Sequence, residues 1–507
     1  MLALVTSLRM LLRDHRLLLL AVVLGGFALR LPNASSQLEY DEVITLMFGT
    51  HSPADIVKAT AADTMPPLHY WLMHAFDPTG ELFTGRFLST LLSSLTLPAF
   101  YLLARRMAGP AEAVAAAALL AVSPIAVFYG HYARMYSTLA LLGTLAAYFF
   151  VRWLQRDRPW DLVLFTGVAA LSLWVHNLAG LLILSLDLAF LFRRGYWPGA
   201  FRRRLASLAA THVALVLAYG PWLLYLPQQL ENVNRAFWIG TPGPAEVART
   251  VLAWHFHLPL PSQLLPAFAF LALALAAVTA METVRRWRGG GDLDRQRILL
   301  MSTLTLAPVG IMFIVSLVRP VYVERAVLVS ASVYSLLVVG ALVRLPLRPV
   351  ALGLAAALWA GVAAALVYQA RYQEFPRSPF REAVLALRAS VQPGDLILHD
   401  NKLSYFPMYY FDPNLPQSYL PDLPGTANDT LAPGSMDVLG LHPVTLEDAA
   451  AHAGRVWYVV FDRALQQAAA AGRPHAYRRW LDQRLGAGVE TAVGDLRLVR
   501  YRDGNRP

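Results

Sequence analysis

The chain has 507 residues, 56% hydrophobic and only 15% charged, where a soluble domain carries about 25% charged residues. That balance excludes an ordinary soluble protein, a disordered chain and a nucleic-acid-binding module, despite a net charge of +10. Lysine occurs only at Lys58 and Lys402, so the basic excess is arginine, and the absence of cysteine excludes disulfides and thiolate metal sites.

Taken in chain order, eleven apolar runs read as membrane helices: 17–31, 87–104, 111–128, 135–151, 162–176, 178–192, 205–226, 264–283, 298–318, 326–343 and 349–368. Several fall short of the roughly 20 residues needed to cross about 30 Å of hydrocarbon, and 162–192 also fits a kinked or re-entrant pair. Pro, Gly and Arg interrupt the runs, and no period-2 alternation suggests a barrel. Residues 1–36 also fit a signal peptide, though Asn33-Ala34-Ser35 makes a poor cleavage site. Cleavage there would leave the sidedness unchanged.

Orientation follows from the arginines. With the N-terminus inside, the inner segments hold twenty of them: Arg9, Arg13, Arg16, Arg105, Arg106, Arg152, Arg156, Arg158, Arg193, Arg194, Arg202–Arg204, Arg285, Arg286, Arg288, Arg295, Arg297, Arg344 and Arg348. The outer loops hold seven basic residues: Lys58, Arg86, Arg134, Arg235, Arg249, Arg319 and Arg325. The positive-inside rule then places 33–85, 129–134, 227–262, 319–325 and 370–507 outside. From residue 370 the long apolar runs stop. Ser378-Pro379 reads as the cap and first position of a helix to Val391, Leu396–Leu398 and Trp457–Phe461 as strands, 475–485 as a helix, and Gly494-Asp495 as a hairpin turn. Residues 412–445 read as a long loop. The expected architecture is a multi-span α-helical membrane module, 1–369, followed by a small α/β domain, 370–507.

The outer segments carry the polar groups. Loop 33–85 holds Tyr40-Asp41-Glu42 close to the membrane surface and Asp63 ahead of Pro66-Pro67, which opens an aromatic helix containing His69. Asp41, Glu42 and Asp63 read as carboxylates at the mouth of a lipid-accessible cavity, or as caps of a solvated loop. The short turn around His131 and Arg134 leaves Arg134 at the interface or in a cavity, where a cation needs an anionic partner or water. If that turn is helical, His131 and Arg134 share a face. Arg86, His176, Tyr322, Glu324 and Arg325 face the same side, and Glu324 and Arg325 also fit a pair of their own. Asp187, near the inner end of its span, reads as structural and paired with a basic group. Acids from one loop meeting cations from several suit an anionic lipid-linked substrate. A phosphate leaving group needs cations and donors rather than a strong acid, arginine offers a planar fork, and an acceptor hydroxyl needs a carboxylate for its proton.

These residues resemble the GT-C glycosyltransferases, specifically the bacterial group related to protein O-mannosyltransferases and lipid A aminoarabinose transferases. Tyr40-Asp41-Glu42 resembles that family's acidic motif, Asp63 through Trp71 its acid–Pro-Pro–aromatic motif, Arg86-Phe87-Leu88 the start of its next span, and Ala133-Arg134-Met135-Tyr136 its "ARMY" motif. His176 and Arg325 resemble a family histidine and an arginine opening a late span. The resemblance implies Asp41 as catalytic base and Arg134 and Arg325 on the donor phosphate, in an inverting transfer from a polyprenyl-phosphate sugar to a lipid, glycan or protein acceptor. The place implied is the periplasmic side of a bacterial inner membrane, with a cytoplasmic N-terminus. His131-Tyr132 and Met65 replace polar residues of relatives. No cofactor is required by the sequence; a divalent cation stays open, with Asp41, Glu42 and Asp63 as its only candidate ligands. A lipid-linked-saccharide flippase, and a ligase or polymerase using a diphosphate-linked donor, are the rival readings.

Overall fold

The structure is a computed structural model that describes residues 15–31, 37–193, 200–236, 239–422, 431–452 and 454–502. Arg9, Arg13, Arg194 and Asn33-Ala34-Ser35 lie outside the described residues, as does the side chain of Arg235. Each apolar run is helical: His15–Arg30, Leu82–Met107, Pro110–Val122 with Pro124–His131, Tyr136–Arg156, Pro159–Val175, Ala179–Phe192, Phe201–Leu223, Leu265–Gly289, Asp292–Ser316, Leu328–Arg344 and Arg348–Ala370. Among the described residues, seven helices are long and apolar enough to cross a membrane, or eight with the bent pair counted as one, and Pro159–Val175 and Ala179–Phe192 are shorter apolar helices. Run 111–128 differs from its expected single span: its two helices meet at 60°. Pro124 is the cause, because a proline brings no N–H to the ladder and its ring crowds the preceding turn.

Arg30 secures that bend. Its guanidinium donates to the Ala121 carbonyl at 2.9 Å on one side of the break and to the Ala126 carbonyl at 3.2 Å on the other, and also to Gly26 O and Ser93 Oγ. The Ala121 carbonyl freed by the break thus finds a donor, and the bond to Ala126 O ties the second helix to the first. Gly130 admits the arginine, for a Cβ there would lie 2.5 Å from Arg30 Nε.

Contacts sort the connecting segments into two sets. Arg344 meets Glu112 at 2.5 Å, Arg152 meets Asp161 at 2.9 Å, Arg204 meets Asp157 at 3.2 Å and Arg193 donates to Gln296 at 2.7 Å. All eight residues come from segments assigned to the basic face. Asp187, expected to pair with a basic group, lies 3.0 Å from His212.

The long loop after the first span is itself folded, into helices Tyr40–Gly49, Pro53–Ala62 and Leu68–Phe76. The C-terminal domain is a five-stranded sheet in the order β2-β1-β3-β5-β4, with β1 Asp395–His399, β2 Gln417–Tyr419, β3 Arg455–Phe461, β4 Val489–Val493 and β5 Leu496–Arg502. Strands β2, β1 and β3 run parallel, and β5 and β4 are antiparallel additions joined at Gly494, whose φ of +60° suits the turn. Two expectations need correction. The 412–445 stretch contains β2 and the helix Pro433–Leu439. Ser378 is not the helix cap: Pro379 holds that position, and Ser378 Oγ donates to Asp495 Oδ2 at 2.9 Å.

Replacing Arg30 with alanine orphans the Ala121 carbonyl at the break and removes the bonds that tie the two helices together. At about 1–3 kcal/mol for each buried group left unsatisfied, the variant is expected to melt well below the wild type when detergent-solubilised protein is heated and assayed by size exclusion. An unchanged melting temperature would show that the bend holds without it.

Candidate active site

One cavity of about 1250 Å³ lies between the helical module and the C-terminal domain. Every segment that the arginine distribution places on the outer face contributes to it: Glu39 and Asp41, Tyr129 and Tyr132, Arg249 and His257, Tyr322 to Arg325, and the stretch from Tyr372 into the sheet domain. Phe128, Leu258, Pro259 and Val323 give it apolar walls.

Asp41 sits on the helix Tyr40–Gly49, on the face turned to the cavity, with its side chain 39% exposed. Its Oδ2 lies 3.9 Å from Arg134 Nη2. Arg134 is buried and donates to Thr45 Oγ1 at 3.1 Å and to the Tyr70 hydroxyl at 3.3 Å, while its Nε makes no hydrogen bond among the described residues. Arg325 lines the cavity, with its guanidinium 5.6 Å above the Tyr136 ring. Asp41 and Arg325 thus share the cavity wall, and Arg134 stands behind Asp41.

Glu42, the next residue, serves a different purpose. It is buried and forms a two-pronged pair with Arg86, Nε to Oε1 at 2.8 Å and Nη2 to Oε2 at 2.6 Å. It also accepts from the Ala133 backbone at 2.9 Å and from the Glu39 backbone at 3.3 Å. Neither Glu42 nor Arg86 lines the cavity. Asp63 caps the C-terminus of Pro53–Ala62, buried and within electrostatic reach of Tyr70. His69 is fully buried and shares a hydrogen bond with Thr138 at 2.9 Å. Burial, then Arg134, pushes its imidazole down to about 3, which leaves it neutral. His176 lies behind the wall with its ring 6.4 Å from Tyr136, and Tyr322 lines the cavity and bonds Thr250 at 2.8 Å. The shared helical face expected for His131 and Arg134 does not form. The helix ends at His131, Tyr132 is extended, and His131 bonds back to Val127 O.

Two residues that the sequence reading did not single out belong to the cavity. Glu39 accepts from the Tyr132 hydroxyl at 2.8 Å and lies 3.2 Å from Arg377 Nε, off the line of the N–H, so that contact is an ion pair rather than a hydrogen bond. Burial raises the Glu39 carboxyl to about 7, against the opposing pull of Arg377. Arg377 stacks 4.8 Å over Phe128 and donates to Gln369 O, so the start of the second domain is clamped to the first. The signal for Glu39 was its place two residues before Asp41; nothing in the sequence pointed to Arg377.

Asp41, Glu42 and Asp63 do not assemble into a metal site. Glu42 is held by Arg86 and Asp41 faces Arg134, and among the described residues no group of three or more His, Asp or Glu could hold an ion.

Comparison with known proteins agrees with this geometry. The family model of dolichyl-phosphate-mannose-protein mannosyltransferase matches residues 64–225, the stretch carrying His69, Arg86, His131, Arg134 and His176. No curated protein matches the chain in sequence. Among solved structures, ArnT from Cupriavidus metallidurans in the apo state is 14% identical with a TM-score of 0.61, over 95% of this chain and 97% of that one. The same protein bound to undecaprenyl phosphate gives 0.58 over the same shares. The oligosaccharyltransferase AglB from Archaeoglobus fulgidus, in complex with an inhibitory peptide and a dolichol-phosphate, is 14% identical with a TM-score of 0.55, over 98% of this chain and 75% of that one. The chain has the GT-C fold.

Two measurements separate the roles of the acids. Removing one partner of a buried ion pair costs about 3–5 kcal/mol, so Glu42→Ala is expected to cut folded yield sharply, whereas Asp41→Asn folds and melts as the wild type does. Glu39 binds its proton more tightly in the fold than at its ordinary value of 4.5. The folded chain therefore carries more protons than the unfolded one between about pH 4.5 and 7, and stability falls as pH rises through that window. The wild type should lose thermal stability across it and Glu39→Gln should not; parallel curves would assign the titration to another group.

Proposed function

We propose that the protein is a glycosyltransferase that moves a sugar from a polyprenyl-phosphate donor to an acceptor hydroxyl. Its place would be a bacterial inner membrane, with the reaction at the periplasmic face. The observation that carries this reading is that Asp41 and Arg325 line one cavity with apolar walls, with the buried guanidinium of Arg134 3.9 Å from Asp41 behind that wall. The GT-C fold, and undecaprenyl phosphate and dolichol-phosphate in structures of that fold, support a lipid-linked donor.

In this reading the acceptor oxygen attacks the anomeric carbon from the side opposite the phosphate, so the configuration inverts. The new C–O bond forms as the bond to the phosphate oxygen breaks. Asp41 takes the hydroxyl proton, and the electron pair leaves with the polyprenyl phosphate. General-base assistance of this kind is worth about 10²–10⁴-fold. Arg134 and Arg325 face the charge that grows on the departing oxygens, and in a site with little water such donors stabilise it strongly. The polyprenyl chain lies against the apolar wall of Phe128, Leu258 and Pro259. Charge clustered at one end of the helical module favours this reading over a flippase, which needs polar groups along a path.

Incubation of purified protein with an undecaprenyl-phosphate hexose tests it. Release of undecaprenyl phosphate is expected from the wild type, falling at least a hundredfold in Asp41→Asn. Full turnover in a correctly folded Asp41→Asn would remove Asp41 from the base role, and movement of intact donor across vesicles without bond cleavage would favour the flippase.

A further inference from the structure

The far wall of the cavity belongs to the C-terminal domain. Strands β2, β1 and β3 are parallel, so their carboxyl ends point the same way, and the residues that follow them form one edge. Asp400, Asn401 and Leu403 follow β1, Asp422 follows β2, and Phe461 and Arg463 end and follow β3, and all of them line the cavity. Open α/β sheets bind their ligands outside the carboxyl ends of the strands.

The chemistry of this edge is specific. Asp400 is buried and held by three neighbours: the Tyr458 hydroxyl donates to Oδ1 at 2.5 Å, Asn401 Nδ2 donates to Oδ2 at 3.1 Å, and His475 Nε2 lies 3.4 Å away. Asp400 thereby positions Asn401 and His475 at the rim. Asp422, paired with Lys402 at 2.9 Å, and Gln467 complete the rim. Carboxylate, amide and imidazole alternate along it, so acceptors and donors stand side by side, as a row of sugar hydroxyls requires, since each hydroxyl both gives and takes a hydrogen bond. Each carboxylate has a basic partner on the edge, Lys402 for Asp422 and His475 for Asp400, so the row offers matched hydrogen-bonding groups, with Arg463 and Arg473 beside it. Beside them Arg463 stacks 4.1 Å over Phe375, a flat surface for a sugar ring. The edge is also tied to the chemistry: Asn401 caps the helix Lys402–Phe411, whose Phe406 packs edge-on against Tyr40, next to Asp41.

We infer that this strand edge is the acceptor subsite and that it takes the hydroxyl groups of a neutral glycan. The inference rests on the glycosyl-transfer reading for the word acceptor, and on the wall alone for the ligand. It is tested with the full chain in nanodiscs, by saturation-transfer NMR against methyl glucoside, methyl galactoside, methyl mannoside and glucose 6-phosphate. In parallel, thermal stabilisation by undecaprenyl phosphate is measured on the same samples. The neutral glycosides are expected to receive saturation, with the signal falling at least fivefold in Asp422→Asn/Gln467→Ala while glucose 6-phosphate stays silent. The lipid response reports that the variant is folded; Gln467→Ala alone, at an exposed position, should show a partial loss of signal and keeps the test open if the double variant is unstable. Binding of glucose 6-phosphate in preference to the glycosides would mean an anionic acceptor and overturn the inference. So would a glycoside signal that the variants leave unchanged, or none from any probe. If the glycosides bind but undecaprenyl phosphate fails to stabilise the wild type, the donor reading falls and the sugar-binding edge stands.

Discussion

The arrangement of the site depends on the buried pair of Glu42 and Arg86. A carboxylate and a guanidinium withdrawn from water attract each other strongly, but the cost of desolvation is recovered only when the remaining lone pairs are satisfied. Glu42 meets that condition with the backbone N–H groups of Glu39 and Ala133. The first bond fixes the start of the helix that carries Asp41. The second fixes the residue next to Arg134. One carboxylate therefore sets the separation of Asp41 and Arg134, although it never reaches the cavity itself.

The membrane supplies the complementary constraint. Loops rich in arginine are held on one face, and on that face they pair locally, as Arg344 does with Glu112 and Arg152 with Asp161. The loops expected on the opposite face, apart from the C-terminal domain, carry seven basic residues, and two of them, Arg134 and Arg325, lie within electrostatic reach of Asp41. On the proposed orientation, sidedness and the electrostatics of the site share one origin in the distribution of arginine.

Much of this was readable in the sequence, for physical reasons that also mark where reading stops. Helices in hydrocarbon must satisfy their own backbone, so each of the eleven apolar runs is helical, although among the described residues only seven helices, or eight with the bent pair, are long and apolar enough to span. What run length could not register was the break at Pro124, because the apolar character continues through it. Asp41, Arg134 and Arg325 stood out because a charge at a membrane boundary has few places to go. Glu42 looked the same as Asp41 in the sequence, but successive residues on a helix point about 100° apart, so one acid faces the cavity and the other the interior. Arg377 was invisible because its partner Glu39 lies at the other end of the chain and the contact exists only once the second domain is docked. The helix in 412–445 was missed because Pro433 and the glycines around it read as turn residues, whereas a proline also fits a first helical position.

The two acid–arginine contacts of the site differ in a way that assigns their work. Glu42 and Arg86 are each 1% exposed and bonded twice over, at 2.6 and 2.8 Å. A pair closed so completely has no valence left for a substrate, and opening it would leave two buried charges without solvent. Asp41 and Arg134 stand 3.9 Å apart, with the carboxylate 39% exposed and the guanidinium holding neutral hydroxyls instead. Attraction at that distance orients Asp41 without consuming its lone pairs. A general base must be anionic, positioned and still able to accept a proton; a phosphate-binding arginine must be charged and still able to donate. Only the open pair fits both conditions, so the tight pair serves as framework and the loose one is the pair to which the proposed chemistry is assigned.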